Sequence, residues 1–167
     1  LSIMVGGDEA VFQRCLPLLQ AIGKTITHLG PVGMGQACKA CNQVAVICNL
    51  LGVCEAAALA QKLGLDPAKM LGILGGGGAA SQQLKNYGAK IFAGDLQPGF
   101  MVRLMLKDLA IAQKSAGALG LPLEVTALAE KYLKAVEAGG GGALGTQAMS
   151  QALEQAGGFK FTDRRAP

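Results

Sequence analysis

From Met34 to Leu63 the chain runs without a proline, bounded by Gly33 on one side and Gly64 on the other. Apolar side chains fill most of this run, which predicts one long helix stopped at Gly64. Its middle, Val44 to Ala60, is apolar enough to suggest a membrane span. Asn49 and Glu55 lie inside that stretch, however, no aromatic anchors flank it, and it continues into Gln61 and Lys62. The pattern predicts instead a central helix packed on all sides within a helical domain, with no membrane partner. Glu55 is an acid among alanines and leucines. Buried, it needs a partner or a proton, so it reads as a structural hydrogen-bonding group.

Glycines, prolines and capping residues divide the rest of the chain. Leu1 to Val5 is a short apolar strand ending at Gly6 and Gly7, and Asp8 caps a helix that runs to about Ala21. Thr25 to Leu29 is rich in β-branched residues and reads as a second strand. Asp66 and Pro67 place a cap and a first-turn proline at the start of a helix, which Gly75 to Gly78 must break. Further helices are expected from Ser81 to about Ile91, Phe100 to Leu119, Leu123 to Ala138 and Thr146 to Ala156. The loop Gly94 to Gly99 separates the first two of these. Neither tetraglycine, 75–78 or 139–142, is followed by the Gly-Lys-Ser/Thr of a phosphate loop. Both read as flexible joints, and the first is placed to border a cleft. The fold class expected is mostly α, a helical domain built on long apolar helices and preceded by one or two short strands.

Composition narrows the functions available. The 167 residues suffice for one domain with a sizeable core, and 51% are apolar although aromatics are 4% and Trp is absent. Ala, Leu, Val and Ile must do the packing, and a mean hydropathy of +0.38 points to surface that is normally covered by another domain or subunit. Net charge is +4, with the basic residues dispersed except at the end, Lys160 to Arg165. No basic stripe interleaved with aromatics occurs, which argues against nucleic acid, while the positive excess favours small carboxylates. Five cysteines stand at 15, 38, 41, 48 and 54, and His28 is the single histidine. Cys38 and Cys41 have Cys-x-x-Cys spacing but follow no thioredoxin-like strand, and no histidine joins them. Small buried thiols in a reducing cytosol are the expectation, with no metal. His28 reads as a structural residue bonded locally from a short strand.

Two groups of residues are candidates for chemistry. Lys39, Asn42 and Gln43 lie three and four apart just inside the long helix and share one face. A cation and two amides then project from one patch, and Gly33 and Gly35 leave room beside it for something to approach the backbone. Such a lysine can move a proton or hold a carboxylate, or it can be a solvated lysine near a helix start. The second group is Phe100, Lys107 and Asp108. Asp108 can pair with Lys107 and fix it, as in an ordinary surface ion pair, and Phe100 can shield a site from water or fill core.

In chain order, Leu1-Ser-Ile-Met-Val-Gly-Gly-Asp-Glu9, Gly23-Lys-Thr-Ile-Thr-His-Leu-Gly30, Lys39-Ala-Cys-Asn42-Gln43, Cys54-Glu55-Ala-Ala-Ala-Leu-Ala60, Pro98-Gly-Phe100, Leu106-Lys107-Asp108-Leu109 and Leu144-Gly145-Thr146 resemble the β-hydroxyacid dehydrogenases. That family includes 3-hydroxyisobutyrate dehydrogenase and tartronate semialdehyde reductase. The resemblance covers nearly the whole chain. It implies a Rossmann cofactor domain followed by a helical domain, with 1–30 the remnant of the first and 31–167 the second. No Gly-x-Gly-x-x-Gly turn follows the first strand, since Gly30, Gly33 and Gly35 run in the wrong order. The family's Ser-Gly-Gly substrate segment would lie upstream of Leu1. A start at Leu and these gaps suggest half an enzyme, whose two short strands belong to a missing Rossmann sheet.

The resemblance also implies roles. Lys39 is the general acid/base; Asn42 binds the substrate hydroxyl or carboxylate, with Gln43 and Gly35 as further substrate contacts. Lys107 and Phe100 lie on the nicotinamide side. NAD or NADP is the implied cofactor, held mainly by the absent domain, and the substrate is a small 3-hydroxy acid or its semialdehyde. A free lysine titrates near about 10.4, so oxidation at neutral pH calls for burial of Lys39 against the glycine turn and repulsion from Lys107. Two departures concern pocket shape: Ser81, Gln82 and Gln83 stand where relatives often carry an aromatic, and Arg103 where an acid is common. Homo-oligomers and a cytoplasmic location are expected, and the isolated chain is expected to be inactive. The alternative is a non-catalytic helical oligomerisation module.

Overall fold

The computed structural model describes residues 1–163, so Arg164 and Arg165 of the basic C-terminal run lie outside the described residues. The chain forms two compact units, Leu1–Gln43 and the remainder from Val44 onward.

In the first unit β1 (Ser2–Val5) and β2 (Thr25–His28) pair in parallel, Ser2 beside Thr25 and Val5 beside His28. Parallel strands need a crossover, and α1 (Glu9–Ile22) supplies it. Asp8 starts that helix by accepting the Val11 N–H at 3.0 Å. Phe12 is buried and stacks on the His28 ring with centroids 5.0 Å apart. His28 Nε2 donates to the Gly7 carbonyl at 2.8 Å and its Nδ1 meets the Glu9 carboxylate at 2.5 Å. The histidine thus ties the end of β2 to the turn after β1. A two-stranded sheet buries little, and no residue of either strand is fully buried.

The long helix α2 (Met34–Leu63) has the predicted limits: Gly33 and Gly64, both at positive φ, bound it. Beyond it come α3 (Pro67–Gly75), α4 (Gln82–Ala93), α5 (Val102–Ala118), α6 (Glu124–Ala138) and α7 (Ser150–Gly157). Asp66 and Ser81 cap α3 and α4 through the Lys69 and Leu84 N–H groups. In the second unit Ile47, Leu50 and Cys54 of α2 join Leu84 and Ile91 of α4, Met105 and Leu109 of α5 and Leu133 of α6 in one core.

Three expectations change. First, α2 is not packed on all sides: Ala45, Asn49, Gly52, Glu55, Leu59 and Leu63 are exposed. By length and composition alone this helix is long and apolar enough to cross a membrane. Ile47, Leu50, Leu51 and Val53 face the core, while the outer face mixes small and polar residues with Leu59 and Leu63. Glu55 is exposed, so it needs no buried partner. Second, the glycines 139–142 are an ordered corner rather than a joint. Gly140 is left-handed, and Gly141 opens a 3-10 turn over Gly141–Ala143, packed so tightly that a Cβ there would lie 2.6 Å from Val136 Cγ1. Third, the last predicted helix begins late. Residues Thr146–Met149 form a 3-10 segment because the backbone before them bonds to other elements.

Candidate active site

Glycines set the entry to α2. Gly30 and Gly33 have φ of +107° and +97°, a region that side chains rarely enter. The turn they make brings the start of α2 against the end of β1. A Cβ on Gly35 would stand 2.5 Å from the Met4 carbonyl oxygen, and one on Gly6 would stand 2.7 Å from the Pro31 carbonyl oxygen. The close approach that Gly35 permits is therefore made by the chain's own strand.

One turn further, Lys39 is exposed and has no ion-pair partner among the described residues. The burial expected of it is absent, because β1 occupies the glycine face and the lysine points to solvent. Asn42 is half-buried and donates through Nδ2 to Gln43 Oε1 at 2.8 Å, while Gln43 is buried. The three residues therefore offer an unpaired ammonium beside a linked pair of amides. Such a face can bind a carboxylate or pass a proton to an oxygen.

In the second unit Phe100 is half-buried against the core, just ahead of α5. Lys107, on α5, keeps 66% of its side chain exposed and meets Asp108 Oδ1 at 3.0 Å. Asp108 is largely buried, so the carboxylate anchors the lysine from beneath. Arg103 is exposed. Beside the first tetraglycine lies a groove of about 400 Å³ lined by Cys48, Asn49, Gly52, Ala56, Leu74 and Ser81, among others. Cys48 is the ionisable residue among those that line it.

The cysteines are not uniformly buried. Cys15 and Cys41 are exposed, Cys38 and Cys48 intermediate, and Cys54 is buried. Burial, with a smaller push from Glu55, raises the Cys54 thiol to about 12. Among the described residues no group of three or more His, Cys, Asp or Glu could hold a metal ion.

Of the buried polar residues, Gln147 is the most enclosed. Gln147 is wholly buried and donates through Nε2 to the carbonyls of Asp95 and Gln97, each at 3.0 Å. The only sequence signal was its place directly after Leu144-Gly145-Thr146.

A family profile described as "NAD-binding of NADP-dependent 3-hydroxyisobutyrate dehydrogenase" matches residues 33–153, and the "NAD binding domain of 6-phosphogluconate dehydrogenase" matches residues 1–30. The chain belongs to the 3-hydroxyisobutyrate dehydrogenase family. Among its relatives, the 2-hydroxy-3-oxopropionate reductase of Escherichia coli K12 is 45% identical over 92% of this chain and 53% of its own length. The 2-(hydroxymethyl)glutarate dehydrogenase of Eubacterium barkeri is 37% identical over 92% of this chain and 50% of its own. The crystal structure of 3-hydroxyisobutyrate dehydrogenase from Salmonella typhimurium superposes with a TM-score of 0.83 at 25% identity, covering 90% of this chain and 53% of that one. The chain thus spans about half the length of the relatives it matches.

Both matched family profiles are described as NAD-binding. Phe100 offers a half-buried ring at the edge of the core, and Lys107 an exposed, anchored ammonium for a negative group.

Proposed function

We propose that this chain is the catalytic and dimerisation half of an NAD(P)-dependent dehydrogenase or reductase acting on a small 3-hydroxy acid or its semialdehyde. The observation that carries the reading is Lys39: a solvent-facing ammonium without a carboxylate partner, one helical turn from the amides of Asn42 and Gln43. When bound, the nicotinamide supplies or accepts a hydride at the substrate carbon. What remains for the protein is the proton on oxygen and the orientation of the substrate.

In reduction, the Lys39 ammonium gives its proton to the oxygen as the carbonyl becomes an alkoxide. In oxidation, the neutral amine takes the hydroxyl proton as the C–H bond breaks. The second Nδ2 proton of Asn42 is oriented by the bond that its first makes to Gln43, and it steadies the substrate hydroxyl or carboxylate. Phe100 and Lys107 hold the nicotinamide side, while an upstream Rossmann domain supplies the rest of the cofactor site. Gly35 admits β1 against the start of α2, and its backbone remains the further substrate contact of this face. Dimerisation is supported by the apolar surface left open, including Leu59 at 62% and Leu63 at 65% exposure on α2. The isolated chain, lacking most of a cofactor site, turns nothing over.

The test is a fusion of this chain to the N-terminal cofactor domain of the E. coli relative. Nicotinamide-dependent turnover is assayed on a panel of small 3-hydroxy acids and semialdehydes. Loss of general acid–base catalysis costs about 10²–10⁴-fold, so Lys39→Ala should lower kcat by that factor in a protein with unchanged circular dichroism. Turnover that survives the substitution removes Lys39 from the mechanism and leaves the helical assembly module as the reading.

A further inference from the structure

Within the second unit, the segment Leu144 to Gln147 grips the segment that leads into α5. The Gly145 N–H donates to the Leu96 carbonyl at 2.9 Å, the Thr146 N–H to the Phe100 carbonyl at 3.0 Å, and the Val102 N–H to the Leu144 carbonyl at 2.9 Å. Gly145 and Met101 form an antiparallel bridge. Gln147 closes the grip from inside, its amide nitrogen donating to Asp95 and Gln97 carbonyls fifty residues away in sequence.

The amide's orientation is determined by those two acceptors. Its oxygen, Oε1, is buried and has no hydrogen-bond partner. A flipped amide would set that oxygen against two carbonyl oxygens, so only the donating orientation is compatible with the loop. The oxygen instead presses on Gly145, where a Cβ would lie 2.2 Å away. A buried acceptor left unpaired is unfavourable, and its retention marks the nitrogen's two bonds as what the position serves. Asp95 adds a surface latch to the same loop, accepting the Gln97 N–H at 2.9 Å and meeting Lys90 at 3.1 Å.

We propose that Gln147 is a positioning residue: through Asp95 and Gln97 it fixes the loop 94–99, and thereby the placement of Phe100 and of the helix that carries Lys107. This rests on the reading of Phe100 and Lys107 as nicotinamide-side contacts. A misplacement of about 1 Å can weaken a bound geometry severely. The effect expected is on cofactor binding, the role assigned to Phe100 and Lys107.

The experiment uses the same fusion protein with Gln147→Met, which keeps the volume and removes both donors. The expected result is a KM for the nicotinamide nucleotide raised about tenfold with kcat within about twofold, alongside faster amide exchange at Thr146 and Val102. If Gln147→Met fails to fold, Gly145→Ala displaces the amide by contact with a flexible side-chain end and should raise the same KM. A lowered melting temperature with an unchanged KM overturns the proposal and leaves Gln147 as core. Lys107→Ala separates the two readings. If it raises KM while Gln147→Met and Gly145→Ala do not, the positioning role alone fails. A wild-type fusion without turnover refutes the dehydrogenase reading and the positioning role with it.

Discussion

Replacing Gly35 by alanine puts a methyl group where the structure leaves no space. The new Cβ would stand 2.5 Å from the Met4 carbonyl oxygen and 3.1 Å from the Gly6 nitrogen, both main-chain atoms. Ordinary contact begins near 3.4 Å, so the strand must retreat by about 0.9 Å. Overpacking of this kind costs about 1–3 kcal/mol, and a backbone obstacle paired on its other edge with β2 favours the upper half of that range. Alanine in a helix regains up to about 1 kcal/mol over glycine, which leaves a net loss of about 1–2 kcal/mol. Native-state amide exchange at Gly7 and Leu29 reads it directly. Their N–H groups bond across the affected corner to Gly30 and Val5, each at 2.8 Å. Both should exchange about 5- to 30-fold faster. Gly52→Ala is the control: its Cβ would meet nothing within 4 Å, so it should stabilise its helix. Unchanged rates at both Gly7 and Leu29 in the Gly35 variant would refute the packing argument.

Two further outcomes follow from titrating groups. At pH 8 a maleimide should label Cys15 and Cys41 rapidly and spare Cys54, whose thiol burial holds near 12; mass spectrometry showing Cys54 labelled as fast as Cys41 would contradict this. Because that value lies above the ordinary 9.0, the folded state is favoured fully below pH 9. It loses that contribution as pH rises toward 12, so Cys54→Ala should flatten the alkaline fall in urea midpoint. Asp95 has the opposite sign. The Gln97 N–H first, and then Lys90, hold its carboxyl below the ordinary 3.8, so the latch is complete above that pH and is lost as pH falls through the lower folded-state value. A carboxyl-carbon NMR titration should find the midpoint under 3.8, and Asp95→Asn should abolish the accompanying shift of the Gln97 amide. A midpoint at or above 3.8 would remove the latch from the account.

What the sequence announced and what it hid divide along the range of the interactions involved. The limits of α2 were readable because Gly33 and Gly64 stop a helix by their own backbone, and Asp8, Asp66 and Ser81 each cap a helix whose N–H lies three residues on. Lys39, Asn42 and Gln43 could be placed on one face by helix arithmetic alone. The 3-10 segment at Thr146–Met149 could not be read, because its propensities suit a helix and its conformation is imposed by Leu96, Phe100 and Val102. Gly35 is the instructive case. A small residue beside a candidate site reads the same whether a ligand or a strand fills the gap, and the Met4 carbonyl that lies where a Cβ would go is not legible in the sequence. Gln147 lies further out of reach, since a glutamine in an apolar, glycine-rich stretch carries no sign that its partners are carbonyls fifty residues back. Local chemistry therefore named the candidate residues on α2, while a residue such as Gln147 became visible only through contacts between distant segments.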